Sequence, residues 1–139
     1  MADTITGGCL CGEIRYETTR EPSLQILCYC TDCQTVSGAA GYAVYGVPIE
    51  SIVVTKGNPS RFDVRADSGR INSRRFCPNC GTRLWAQLDE LGLASVNGLT
   101  LDERNHFKPT ANHCTDSAPN WCEIDQSLEL LPPIPREQQ

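Results

Sequence analysis

The sequence contains no apolar run approaching the roughly 20 residues that a bilayer-spanning helix needs. Residues 1–8 show neither a basic start nor an apolar stretch, so no secretory leader is read there. The expectation is a soluble, cytoplasmic protein with no membrane partner. A basic surplus is also missing. The net charge is −5 over 139 residues, which argues against a nucleic-acid partner, because phosphate neutralisation needs a basic surface. No internal repeat and no linker divides the chain. One domain spanning residues 1–139 is expected, its core running from about residue 7 to about residue 135 and helped by metal cross-links.

What the sequence has in quantity is cysteine. Nine are present, an odd number, and seven fall in tight clusters. Disulfide frameworks belong to oxidising compartments and usually use even counts. C-x-C and C-x-x-C spacings are instead well suited to sharing a metal ion and awkward for stapling distant loops. Cys28, Cys30 and Cys33 place three thiols within six residues. Three thiolates can hold a tetrahedral ion and leave its fourth position open, which is the mark of a catalytic site; structural sites are usually closed by four protein ligands. Cys9 and Cys11, with Cys77 and Cys80, can together supply such a closed site. His106, His113, Cys114 and Cys122 are each able to complete the three-cysteine group, which would then be a second structural site. Cys114 and Cys122, standing outside the clusters, also read as small buried hydrophobes.

Along the chain, residues 7–12 read as a glycine-flanked turn carrying two thiols. Alternation over residues 13–17 predicts a strand, and residues 24–27 a second that delivers the chain to Cys28. Residues 34–38 allow no more than a helical turn. Strands follow at 42–47 and 52–55, then a turn at 56–59. Residues 61–65 and 71–76 form the arms of a hairpin around Asp67, Ser68 and Gly69. Cys77-Pro78-Asn79-Cys80-Gly81 has the form of a metal knuckle, whose backbone amides bond to the sulfurs. Strands are expected at 84–88 and 93–96, a helical turn at 101–104, an extended segment at 105–119 and an extended proline-rich end at 130–135. Arg61, Arg65, Arg70, Arg74 and Arg75 crowd the hairpin. They read either as a solvated strand face or as a device for a small anion, since arginine's planar fork suits carboxylates.

The motifs Gly8-Cys9-Leu10-Cys11-Gly12, Cys28-Tyr29-Cys30-Thr31-Asp32-Cys33, Ser37-Gly38 and Cys77-Pro78-Asn79-Cys80-Gly81 stand in one order. In that order the chain resembles the glutathione-dependent formaldehyde-activating enzyme family, which includes the centromere protein V domain. The resemblance runs from about Gly7 to Pro135, with less specific matches at His113, Ser117 and Trp121. It implies a mainly β fold, a β-tent of short antiparallel sheets clamped by structural zinc and carrying short helical turns. It implies two zinc ions, one structural on Cys9, Cys11, Cys77 and Cys80 and one catalytic on Cys28, Cys30 and Cys33. The activity implied is that of a carbon–sulfur lyase. It adds glutathione or another small thiol to formaldehyde, or to a similar small electrophile, or runs in reverse. A different class of reading is a zinc-scaffolded module that binds glutathione or a partner without turnover, since fold and metal alone do not specify substrate.

Overall fold

The computed structural model describes residues 3–132. In chain order its elements are β1 (Thr4–Gly8), β2 (Arg15–Thr19), β3 (Leu24–Cys28), α1 (Thr31–Ser37), β4 (Tyr42–Pro48) and β5 (Val53–Lys56). There follow β6 (Ser60–Arg65), β7 (Ile71–Phe76), β8 (Arg83–Leu88), β9 (Leu93–Asn97), β10 (Ala111–His113) and β11 (Glu129–Leu130). The protein is mainly β, as its alternating segments predict. Strands β1, β2 and β5 form a small antiparallel sheet. The other eight form one large sheet in the order β11-β10-β3-β4-β9-β8-β7-β6. None of the described helices is long and apolar enough to cross a membrane.

The large sheet divides its side chains between two cores, as the period-two pleat requires. On one side Tyr45 and Val47 of β4, Ala94 and Val96 of β9, and Leu84 and Trp85 of β8 pack against Ile5, Ile14 and Tyr16 around the small sheet. Tyr16 meets the Trp85 ring edge-on at 6.1 Å. Its hydroxyl, buried with it, shares a 2.7 Å hydrogen bond with Thr100, which meets the demand that a buried polar group find a partner. On the other side Ile26 and Cys28 of β3 join Tyr42 and Val44 of β4, Ala111 and Cys33 in a second, smaller core. Cys9 and Cys77 belong to the first core, whereas Cys28 and Cys33 belong to the second. The two cysteine groups are therefore attached to different faces of the same sheet.

Several expectations are corrected. Gly7 and Gly8 are the end of a strand, β1, rather than part of the turn. The segment expected as one helical turn is the seven-residue helix α1, which starts before Cys33 and stops at Gly38 in the left-handed conformation (φ 74°). Residues 101–104 do not form a helical turn. Leu101 is buried and bridges to Gly7, with 3-10 turns on either side at Gly98–Thr100 and Arg104–His106. The segment 105–119 is broken by β10, which pairs in parallel with both β3 and β11, so the large sheet is not wholly antiparallel. Pairing of this kind joins residues far apart in sequence, and no local pattern announces it. Of the expected extended end, Leu130 is in β11 and residues 133–135 lie outside the described residues.

Candidate metal centres

The first cysteine group is built by two knuckles. In the chain after β1, the Cys9 amide donates to the Ile14 carbonyl at 3.1 Å and the Gly12 amide to the Cys9 carbonyl at 3.2 Å. After β7, the Cys77 amide donates to the Thr82 carbonyl at 3.0 Å and the Gly81 amide to the Cys77 carbonyl at 2.9 Å. Gly12 (φ 83°) and Gly81 (φ 79°) occupy the left-handed region just after the second cysteine of each pair, which favours glycine there. The two turns bring the sulfurs of Cys9, Cys11, Cys77 and Cys80 within 4.8 Å of one another.

Individual separations are 3.6 Å for Cys9–Cys11 and 3.8 Å for Cys11–Cys77. A tetrahedron with metal–sulfur bonds of about 2.3 Å has edges of about 3.8 Å, so the donor set fits a zinc-sized ion. Backbone amides already point at the sulfurs: Ile14 N at 3.2 Å from Cys9 Sγ, and both Asn79 N and Cys80 N at 3.4 Å from Cys77 Sγ. Such bonds stabilise thiolate and orient it. Cys80 is held down to about 5, first by the Thr82 hydroxyl at 3.2 Å and then by the amides of Thr82 and Cys11.

The second group lies at the junction of β3 and α1. Cys28 is the last residue of β3, Cys30 is the N-cap of α1, and Cys33 sits in the first turn. The Cys33 amide donates to Cys30 Sγ at 3.3 Å, so the cap that starts the helix is itself a sulfur. The three sulfurs lie within 4.8 Å of one another and can hold a metal ion. Hydrogen bonds from Cys28 and Cys33 hold the Cys30 thiol far below its ordinary value, and the same contact with Cys30 pushes Cys28 up. Gln34 fastens this segment by donating to the carbonyls of Tyr29 (2.8 Å) and Ser117 (2.9 Å).

The four candidates for completing the second group separate cleanly. The parallel pairing of β10 with β3 sets His113 opposite Cys28, with Nδ1 at 3.8 Å from Cys28 Sγ. Cys114 follows with its sulfur 3.5 Å from the same nitrogen, so Cys28, His113 and Cys114 form an overlapping triplet. Cys114 is also the one non-glycine residue at positive φ (59°) among the described residues. His106 is elsewhere; its Nε2 bonds to the Arg20 carbonyl at 2.8 Å and its ring leans on Tyr45. Among the described residues Cys122 joins neither cysteine group, and its sulfur donates to the Glu123 carbonyl at 3.7 Å.

A cavity of about 330 Å³ opens on the second group and is lined by Cys28, Cys30, Cys33, His113 and Cys114. None of Cys9, Cys11, Cys77 and Cys80 lines it. Its floor is the large sheet, whose alternate residues face it, among them Ile26, Val44, Ser95, Ala86 and Arg74. The expected arginine cluster disperses in three dimensions. Arg61 forks onto Asp63 at 2.8 Å, Arg65 reaches the Gly69 carbonyl, Arg70 lies 3.6 Å from Glu90, and Arg75 Nε donates to Ser73 at 3.1 Å. Arg74 alone of the five lines the cavity. Asn72 and Leu131 line it too, and no sequence signal singled them out.

Comparison with known proteins agrees with this architecture. The model of the family described as glutathione-dependent formaldehyde-activating enzyme matches residues 4–117. A Halomonas elongata protein, provisionally named a glutathione-dependent formaldehyde-activating enzyme, is 26% identical over 133 residues, spanning 87% of this chain and 81% of its own. A crystal structure of a Rhodobacter sphaeroides protein shares the fold, with a TM-score of 0.58 at 20% identity over 76% of this chain and 97% of that one. With the family match covering both cysteine groups and every strand from β1 to β10, this chain belongs to the glutathione-dependent formaldehyde-activating enzyme family.

Proposed function

We propose that the protein is a zinc-dependent carbon–sulfur lyase. It would add a small thiol, glutathione or another, to formaldehyde or a similar electrophile, or cleave the adduct. The observation that carries this reading is the division of labour between the two cysteine groups. Three converging sulfurs line a cavity, while the four-sulfur group lies away from it. In this reading Cys9, Cys11, Cys77 and Cys80 hold a structural zinc, and Cys28, Cys30 and Cys33 hold a catalytic one.

When bound at the three-cysteine group, zinc supplies a site that accepts a further sulfur donor and favours its thiolate form. The chain's own residues do the rest. Cys28, Cys30 and Cys33 fix where the substrate sulfur sits, on a segment that Gln34 fastens. The cavity walls hold the aldehyde alongside, and proximity supplies most of the rate gain. In the forward direction the sulfur lone pair forms a bond to the carbonyl carbon. The carbonyl π pair moves to oxygen, and the proton lost by the thiol balances the one gained by the new hydroxyl. The reverse breaks the same carbon–sulfur bond.

The test compares wild type with Cys30→Ser for the rate of glutathione plus formaldehyde against a protein-free blank, with metal content measured in parallel. Wild type should exceed the blank and carry two zinc ions, whereas the variant should match the blank and carry one. Equal rates in wild type and variant would overturn the assignment. Wild type at the blank with intact thiol binding would favour the non-catalytic module.

A further inference from the structure

Arg74 is 5% exposed, and its Nε is buried without a hydrogen-bond partner. Two residues earlier on the same face of β7, Asn72 also lines the cavity, and its Oδ1 is likewise buried and unpartnered. Amide oxygen and nitrogen exchange places by a simple rotation, so Asn72 can present a donor beside the guanidinium. A desolvated guanidinium is costly unless something accepts its hydrogen bonds, and a carboxylate matches its fork. Arg74 also lies in the field of Cys30 and Cys33, which it favours as thiolates. That is a through-space effect and leaves Nε unsatisfied.

The rest of the wall is mostly apolar, with Leu24, Ile26, Val44, Ala86, Leu88 and Leu93 among its lining residues. Asp32 and Asp67 also line it. Their carboxylates offer nothing to a second anionic group and repel it. Glutathione brings two carboxylates, an ammonium and two amides. Asp32 and Asp67 can accept from the ammonium, but the second carboxylate loses its water on entry beside those two like charges, with Arg74 the one arginine lining the cavity.

We infer that the cavity selects a thiol bearing a single carboxylate on an apolar body, its sulfur against Cys28, Cys30 and Cys33 and its carboxylate on Arg74 and Asn72, in preference to glutathione. This rests on the proposed function, in that sulfur is taken as the group that meets the cysteines.

The test is isothermal titration calorimetry on the metal-replete full chain under reducing conditions, with ω-mercaptohexanoate, ω-mercaptohexanol, hexanoate and glutathione. The mercapto acid should bind about tenfold or more tighter than the mercapto alcohol and than glutathione, the range a charge-assisted hydrogen-bonded pair supports. Arg74→Gln should collapse the acid-to-alcohol ratio to about one by weakening the acid far more than the alcohol, and Arg74→Lys should restore part of it. Glutathione binding as tightly as the mercapto acid, or a ratio near one in wild type, overturns the inference. So does an Arg74→Gln variant that weakens both thiols equally, because then the arginine serves only the thiolates' charge. Hexanoate binding as tightly as the mercapto acid would leave the anion subsite standing and overturn instead the reading that sulfur meets the cysteines. Should Arg74→Gln fail to fold, the wild-type series alone decides.

Discussion

Cys77→Ser is the sharpest probe of the four-sulfur centre. Cys77 is fully buried, and its sulfur meets that of Cys11, 66 residues away in sequence, at 3.8 Å. A cross-link closing a loop of that length restricts the unfolded chain by about 4 kcal/mol under the chain-entropy relation. Cys33→Ser disrupts a group whose members span only residues 28–33, for which the same relation gives about 2 kcal/mol. Against a typical domain stability of about 5–15 kcal/mol, the first loss is close to unfolding and the second is not. For a chain of this length, about 4 kcal/mol corresponds to a fall in Tm of roughly 15 °C. The assay is differential scanning calorimetry of both variants beside wild type, with metal counted by mass spectrometry. Cys77→Ser should be molten or strongly destabilised and short of metal at the first site, whereas Cys33→Ser should fold and lose one ion. A Cys77→Ser protein melting within about 3 °C of wild type with two ions retained would refute the structural role.

Two further predictions concern neighbouring residues. Cys114→Ala should leave two metal ions per chain if Cys28, Cys30 and Cys33 alone hold the second; loss of that ion would make Cys114 its fourth ligand and the site closed. Arg15 ties the strand after the first knuckle to Asp102, which also accepts from Thr6 Oγ1 at 2.7 Å. Arg15 holds the Asp102 carboxyl below its ordinary 3.8, so the pair's contribution is present at neutral pH and is lost as pH falls through and below that value. Because the side chains are 36% and 46% exposed, Asp102→Asn should cost under about 1 kcal/mol at pH 7. In urea titrations the gap between variant and wild type should close on acidification; a gap that persists or widens in acid would contradict the pairing.

The sequence by itself determined the parts of this protein that depend on neighbours in the chain. The knuckles at Cys9–Cys11 and Cys77–Cys80, the grouping of Cys28, Cys30 and Cys33 at the end of a strand, and the hairpin of β6 and β7 are local. Their spacing and period are written in adjacent residues, because a turn needs its glycine within one or two positions and a strand shows its alternation over five or six. The family followed from the order of those motifs. Tertiary structure alone decided which residues share a space. The parallel registration of β10 on β3 selects His113 and Cys114, and not His106 or Cys122, as neighbours of Cys28. The pleat of β7 turns Arg74 inward while the other four arginines of the cluster take partners outside the cavity. Contacts between segments some 85 residues apart depend on how whole sheets pack, and no local pattern records that arrangement. The three cysteines were legible as a group from their spacing. The largely apolar cavity they face, with Arg74 turned into it, became visible only once the sheet was assembled around them.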